Sequence, residues 1–279
     1  MPAFTKLQKV VLSLGAFSGA AIYYINQSED RTALASWTTN YIPSVEWDNN
    51  WDRRSPHNLV HPKKLNNSAH SENEINKQLE MKKPKATRHI ILIRHGQYNT
   101  DGETDKERVL TDLGRMQALS TGERLKELGF PFTDMVKSTM SRAQETGTLI
   151  SKALPSVPVE NSDLLREGAP VPPEPPIGDW KPEPHQFFTD GARIEAAFRE
   201  YFYRASHSQD ENSYTILVCH ANVIRYFVCR ALQFPAEGWL RISLNHGSIT
   251  WMSITPSGRV ILRCLGDTGH MSPAMITSR

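Results

Sequence analysis

From residue 88 onward, apolar and polar positions fall into blocks that alternate between strand and helix signatures. Ile90-Ile91-Leu92-Ile93 is an uninterrupted apolar run of the fully buried strand type. Thr111-Asp112-Leu113-Gly114 opens a helix through Leu128, and Gly129 supplies its stop. Met135–Ser138 reads as a short strand, and 141–153, 193–206 and 221–232 read as helices. Thr215–Cys219 is a second buried-type strand, and 248–255 with 260–265 form a hairpin around Pro256-Ser257-Gly258. Alternation of this kind predicts an α/β domain: a mostly parallel central sheet covered by helices on both faces, a three-layer sandwich. Seven prolines between Gly168 and Pro184 interrupt it and predict an extended lip.

The first 87 residues follow other rules. Val10 to Ser28 are 19 uncharged residues, mostly apolar or small up to Ile25. A helix of that length rises about 28 Å, enough to span a bilayer core. Lys6 and Lys9 precede it, and Gly15 and Gly19 provide a close-packing face. A cleaved signal would need a site such as Ala33-Leu34-Ala35, which lies past the charged triplet Glu29-Asp30-Arg31. The reading taken is a membrane anchor over 1–29, a flexible linker over 30–87 and a catalytic domain over 88–279.

Charge sharpens the division. Residues 53–88 carry nine Lys/Arg against three acids, while residues 89–279 carry 20 against 22. A chain of net charge +2 gives no reason to invoke nucleic acid. Three cysteines (Cys219, Cys229, Cys264) without CxxC spacing offer neither a disulfide scaffold nor a zinc ribbon. Inside the linker, Trp47-Asp48-Asn49-Asn50-Trp51-Asp52 places two tryptophans four apart. Residue types leave two readings open: a strap on its own domain, or an anchor for another subunit.

The candidate chemistry clusters where strands end. Arg94-His95-Gly96 falls at the carboxyl end of the first buried strand, and His220 terminates the second. Ligands bind at such ends of open α/β sheets, and the two histidines converge if their strands are neighbours. Arg142 begins a helix whose N-terminal amides favour an anion, and Glu167 stands before the proline-rich lip.

Arg94-His95-Gly96, Ser141-Arg142-Ala143-x-x-Thr146, Glu167 and His220 resemble, in order and residue type, the histidine phosphatase superfamily founded on the phosphoglycerate mutases. The resemblance covers about residues 88–270. It extends to the family's mitochondrial serine/threonine protein phosphatases in the N-terminal apolar segment, the Trp47–Asp52 repeat, Asn245–Thr250 and Gly266–Gly269. It implies that His95 is a nucleophile that becomes phosphorylated, that Arg94, Arg142 and His220 bind phosphoryl oxygens, and that Glu167 donates a proton. It also implies an assembly motif in Trp47, Asp48, Asn50, Trp51 and Asp52, and a mitochondrial membrane location. No metal or cofactor is required by that scheme. His246, in the shared Asn245–Thr250 segment, receives no role.

Expected partners are phosphoserine and phosphothreonine proteins, a membrane, and further copies of the chain. The lip from Gly168 to Asp190 holds Lys181 alone against Glu174, Asp179, Glu183 and Asp190. Such a lip repels a bisphosphorylated metabolite and tolerates a phosphopeptide. The alternatives are a small-molecule mutase or bisphosphatase, and a scaffold acting mainly through residues 30–88.

Overall fold

A computed structural model describes residue 43, residues 45–60 and residues 72–278. The expected membrane segment Val10–Ser28 lies outside the described residues; among the described residues no helix is long and apolar enough to cross a membrane. Trp47–Arg279 forms one compact unit.

In chain order the elements are α1 (Pro56–Leu59), α2 (Glu72–Met81), β1 (Arg88–Arg94), α3 (Asp112–Leu128), β2 (Asp134–Ser138), α4 (Ser141–Ala153), β3 (Val159–Ser162), α5 (Pro184–Tyr201), β4 (Ser213–Cys219), α6 (Ala221–Ala231), β5 (Ile249–Ile254) and β6 (Val260–Asp267). The six strands form one sheet in the order β3-β2-β4-β1-β5-β6. The first four are mutually parallel, whereas β5 runs antiparallel to β1 and β6 antiparallel to β5. The sheet is therefore mixed, with its parallel part holding the strand ends that carry the chemistry.

Alternation along β1 explains the layering. Ile90 and Leu92 enter the apolar cluster that holds Ile194 and Phe198 of α5 and Val223 and Phe227 of α6. Ile91 and Ile93 enter the opposite cluster, with Leu125 of α3 and Ala143 and Ile150 of α4. Each of these β1 residues is fully buried and contributes about 2 kcal/mol by transfer from water. Gly129 ends α3 in the left-handed conformation, at φ 62°, as its position predicted. All three cysteines are free thiols, two of them buried.

Four elements depart from the sequence reading. The helix expected at 193–206 is α5, which begins at Pro184 and ends at Tyr201. Proline fits the first helical turn, where no amide hydrogen is needed, and Glu183 with Gln186 closes a capping box there. The strand β3 was not foreseen, because Val159–Ser162 is a mostly exposed edge with no buried stripe. Two helices, α1 and α2, occupy parts of the segment read as linker; neither buries a residue, and in α2 the i, i+4 pair Ile75 and Leu79 stands among polar residues that read as linker.

Residues 49–52 form a turn, and the segment 47–52 docks on the body. Trp51 is buried, its indole donates to Gly258 O at 2.8 Å, and its ring lies 5.9 Å from that of Phe198. Trp47 packs against the same cluster. Asp52 accepts the Arg204 amide at 2.8 Å and the guanidinium through Nη2 at 2.8 Å and Nε at 3.0 Å. The strap reading therefore holds within a single chain.

Candidate active site

Parallel pairing of β1 with β4 puts Arg94 opposite Cys219. The next residue on each strand is a histidine, so His95 and His220 emerge side by side with ring centroids 5.1 Å apart. The His95 amide continues the ladder to Cys219 O at 3.0 Å. Convergence, conditional in the sequence, follows from strand adjacency.

The loop after His95 is held by close backbone contact. A Cβ on Gly96 would lie 2.4 Å from Gly114 O, and one on Gly114 would lie 1.9 Å from Gln97 O. Only glycine permits that crossing of the loop over the start of α3. The Gly96 amide donates to Thr146 Oγ1 at 3.0 Å, tying the loop to α4.

Hydrogen bonding fixes the state of His95. Its Nδ1 lies 2.8 Å from Gly96 O, and a carbonyl oxygen can only accept, so Nδ1 carries the proton. Nε2 then presents its lone pair, and Arg142 Nε, which can only donate, approaches it at 3.3 Å. Burial pushes the His95 imidazole well below its ordinary value, and His220, Arg142 and Arg94 push it further. The ring is neutral at physiological pH.

His220 caps the start of α6 and shares a hydrogen bond of 2.8 Å with Ser138 Oγ through Nε2. Burial first, and then Arg142, Arg193 and Arg94, hold it well below its ordinary range. Arg142 lies with its guanidinium carbon 4.7 Å from the Tyr98 ring centre. Among the described residues, Arg94 Nε, Arg142 Nη1 and His220 Nδ1 are buried without hydrogen-bond partners. Buried polar atoms ordinarily find partners; Arg142 Nη1 has only the Asp105 carboxylate at 3.7 Å, and with Arg94 Nε and His220 Nδ1 it forms an anion seat beside His95. The expected help from the α4 amides differs in detail: Ser141 N already donates to Asp105 Oδ2 at 3.1 Å.

Glu167 is half-buried beside this seat, accepting the Gly168 amide at 3.2 Å. Burial raises its carboxyl above the ordinary value against the opposing pull of Arg142 and two backbone amides, which suits a proton donor. Glu167 and Arg142 also line a cleft of about 610 Å³ with Arg108, Asp179, Trp180, Lys181, Asp190 and Asn222. Arg108 belongs to a different segment from the lip, and Asp190 is paired with Arg193 at 3.0 Å. The entrance is less acidic than the lip sequence alone implied.

All five predicted chemical residues, Arg94, His95, Arg142, Glu167 and His220, meet at this one seat. The hydrogen bonds of Trp51 and Asp52 go to Gly258 and Arg204, outside it. Tyr98, Ser138, Asn222 and Arg108 escaped the sequence reading because each is an ordinary loop or strand-end residue until the fold assembles it.

Residues 90–170 and 177–266 match the model of the histidine phosphatase superfamily, branch 1. The chain is 60% identical over 246 residues to the mitochondrial serine/threonine-protein phosphatase PGAM5 of Rattus norvegicus, covering 88% of this chain and 85% of that protein. It is 52% identical over 281 residues to the mitochondrial serine/threonine-protein phosphatase Pgam5 of Drosophila ananassae, covering 98% and 96%. The solved structure of the Mycobacterium tuberculosis open reading frame Rv3214 shares the fold, at 24% identity and a TM-score of 0.50 over 66% of this chain and 99% of that one. With the paired strand-end histidines and the arginines around them, these matches place the chain in branch 1 of the histidine phosphatase superfamily.

Proposed function

We propose that this protein hydrolyses phosphoserine and phosphothreonine monoesters in proteins through a phosphohistidine at His95. The observation that carries the reading is the state of that ring: Nδ1–H committed to Gly96 O, and a bare Nε2 faced by Arg142.

The chemistry balances on the residues present. The Nε2 lone pair forms an N–P bond as the P–O bond to the serine or threonine oxygen breaks. Arg94, Arg142 and the Nδ1 side of His220 hold the three phosphoryl oxygens, whose spread charge needs positioning more than covalent help. An alkoxide leaves poorly, so Glu167 gives it a proton. Glu167, now a carboxylate, takes a proton from water as the water oxygen attacks phosphorus. The N–P bond breaks, its electron pair returns to Nε2, and phosphate leaves.

The names of the relatives support protein phosphoserine and phosphothreonine as substrates, and a mitochondrial location. Lip charge supports them less, since Arg108 and Lys181 line the same cleft as Asp179. The uncharged length of Val10–Ser28 supports a membrane tether. The Trp47–Asp52 motif supports self-association: the surface that seats the strap within one chain would seat the strap of a second copy by exchange.

The test is a panel of phosphothreonine peptides against 3-phosphoglycerate and bisphosphorylated metabolites, with His95→Ala as control. Turnover of peptides alone fits the proposal; preference for the metabolites would make the protein a mutase or bisphosphatase. Sedimentation of the Trp47→Ala/Trp51→Ala double variant should show a smaller assembly than wild type; an unchanged size would confine the motif to a strap.

A further inference from the structure

Arg94 engages the protein's own atoms on only part of its guanidinium. Nη1 donates to Leu244 O at 2.5 Å and to Ser278 O at 3.1 Å, and Nη2 contacts His246 Nε2 at 3.0 Å. Of five N–H groups, three are committed, leaving Nε–H, which is buried without a partner, and one Nη2–H as a free fork for phosphate oxygens.

A guanidinium cannot accept a hydrogen bond, so His246 Nε2 must be the acceptor and Nδ1 must carry the proton. Nδ1 then donates to Thr277 Oγ1 at 2.9 Å, while the His246 amide donates to Thr277 O at 2.8 Å. Gln117 grips the same segment, donating to Met275 O at 2.6 Å and to Thr277 Oγ1 at 2.9 Å. Its other end accepts the Gln97 amide at 2.8 Å, in the loop that follows the nucleophile.

We propose that His246 and the segment Met275–Ser278 form a positioning relay that aims the free fork of Arg94 at the phosphoryl group. The proposal rests on the reading of this seat as a phosphoryl site and adds to it what sets its geometry. His246 lies 5.5 Å from His95, ring to ring, and is buried. Burial and the charge of Arg94 push its imidazole down to about 3, so it remains a neutral acceptor throughout the working pH range. Arg94 selects the tautomer, Thr277 accepts the resulting Nδ1–H and fixes the ring plane, and the fixed ring in turn holds Arg94. Cationic or flipped, His246 would give Arg94 a donor to face.

The test compares His246→Phe, His246→Gln, Thr277→Val and a chain lacking residues 276–279. The readouts are the inhibition constant of orthovanadate, kcat and KM on a phosphothreonine peptide, and thermal melting. An inhibition constant does not depend on how much of the preparation is folded, so instability alone leaves it unmoved. His246→Phe is expected to weaken orthovanadate about 10- to 100-fold, the range for a hydrogen bond to a charged group. Thr277→Val and the shortened chain should weaken it by about 3- to 10-fold. His246→Gln, whose amide can accept from Arg94 and donate to Thr277, should stay within about threefold of wild type. Unchanged orthovanadate inhibition in His246→Phe and Thr277→Val overturns the relay, as does a Gln variant as impaired as the Phe variant. If His246→Phe does not fold, Thr277→Val decides. A wild-type protein that is itself inactive and insensitive to orthovanadate would instead remove the proposed function.

Discussion

Asp52→Ala isolates what holds the Trp-Asp strap on the body. The Asp52 and Arg204 side chains are 1% and 4% exposed, and they meet at 2.8 Å. Burial alone would raise the Asp52 carboxyl, but hydrogen bonds from Arg204 outweigh it and hold the group below its ordinary value. Removing the carboxylate leaves a buried guanidinium with backbone acceptors at Asn49 and Ser257. Breaking a buried pair from one side costs about 3–5 kcal/mol. In a domain of this size that lowers the melting temperature by about 6–20 °C. Asp48→Ala is the internal control, because the Asp48–Arg53 pair is largely exposed and is worth under about 1 kcal/mol. Urea denaturation of both variants, followed by tryptophan fluorescence, gives the comparison. A loss below about 1 kcal/mol in Asp52→Ala, or equal losses in the two variants, would refute a strap stabilised by this pair. Repeating the titration over a range of protein concentration separates the two seats: a concentration-independent midpoint puts the strap on its own chain, and a rising one puts it on a second copy.

Stability should also fall in acid. His95, His220 and His246 are buried with depressed values, so below about pH 6.5 the unfolded chain binds protons that the native state refuses. Their contribution is complete above that pH and shrinks by about 1.4 kcal/mol per histidine at one unit below it; Glu167, shifted upward, offsets part of this. Urea midpoints that stay flat from pH 7.5 to 5.5 would contradict it. Glu167→Gln should lower kcat by about 10²- to 10⁴-fold on phosphothreonine peptides. The same variant should lose far less on p-nitrophenyl phosphate, whose leaving group needs no proton; equal losses on both would remove the acid role. Gly114→Ala should abolish activity and lower the melting temperature, since its Cβ would sit 1.9 Å from Gln97 O. An active, stable variant would show that the loop after His95 has slack.

The buried strands and the residues at their ends were legible because their signals are local: four apolar residues in a row, then Arg94-His95. That β4 lies beside β1 is a statement about residues more than 120 positions apart, and no periodicity encodes it. The same holds for His246, which meets Arg94 across 152 positions and Thr277 across 31. The exposed edge β3 buries too little to write a pattern, and in α2 the pair Ile75 and Leu79 was outweighed by the polar residues around it. Pro184 marked a loop by type but begins a helix by position. Charge counting along the lip overlooked Arg108, which reaches the cleft from another segment.

The central claim, that the bare Nε2 of His95 takes the phosphoryl group, is tested most directly by trapping it. The protein is mixed briefly with a ³²P-labelled phosphothreonine peptide, quenched in alkali, and mapped by proteolysis. The account expects an acid-labile, alkali-stable label on His95, approaching one per chain when dephosphorylation is slow and absent in His95→Ala. Full turnover by His95→Ala, or label confined to another residue, would contradict it.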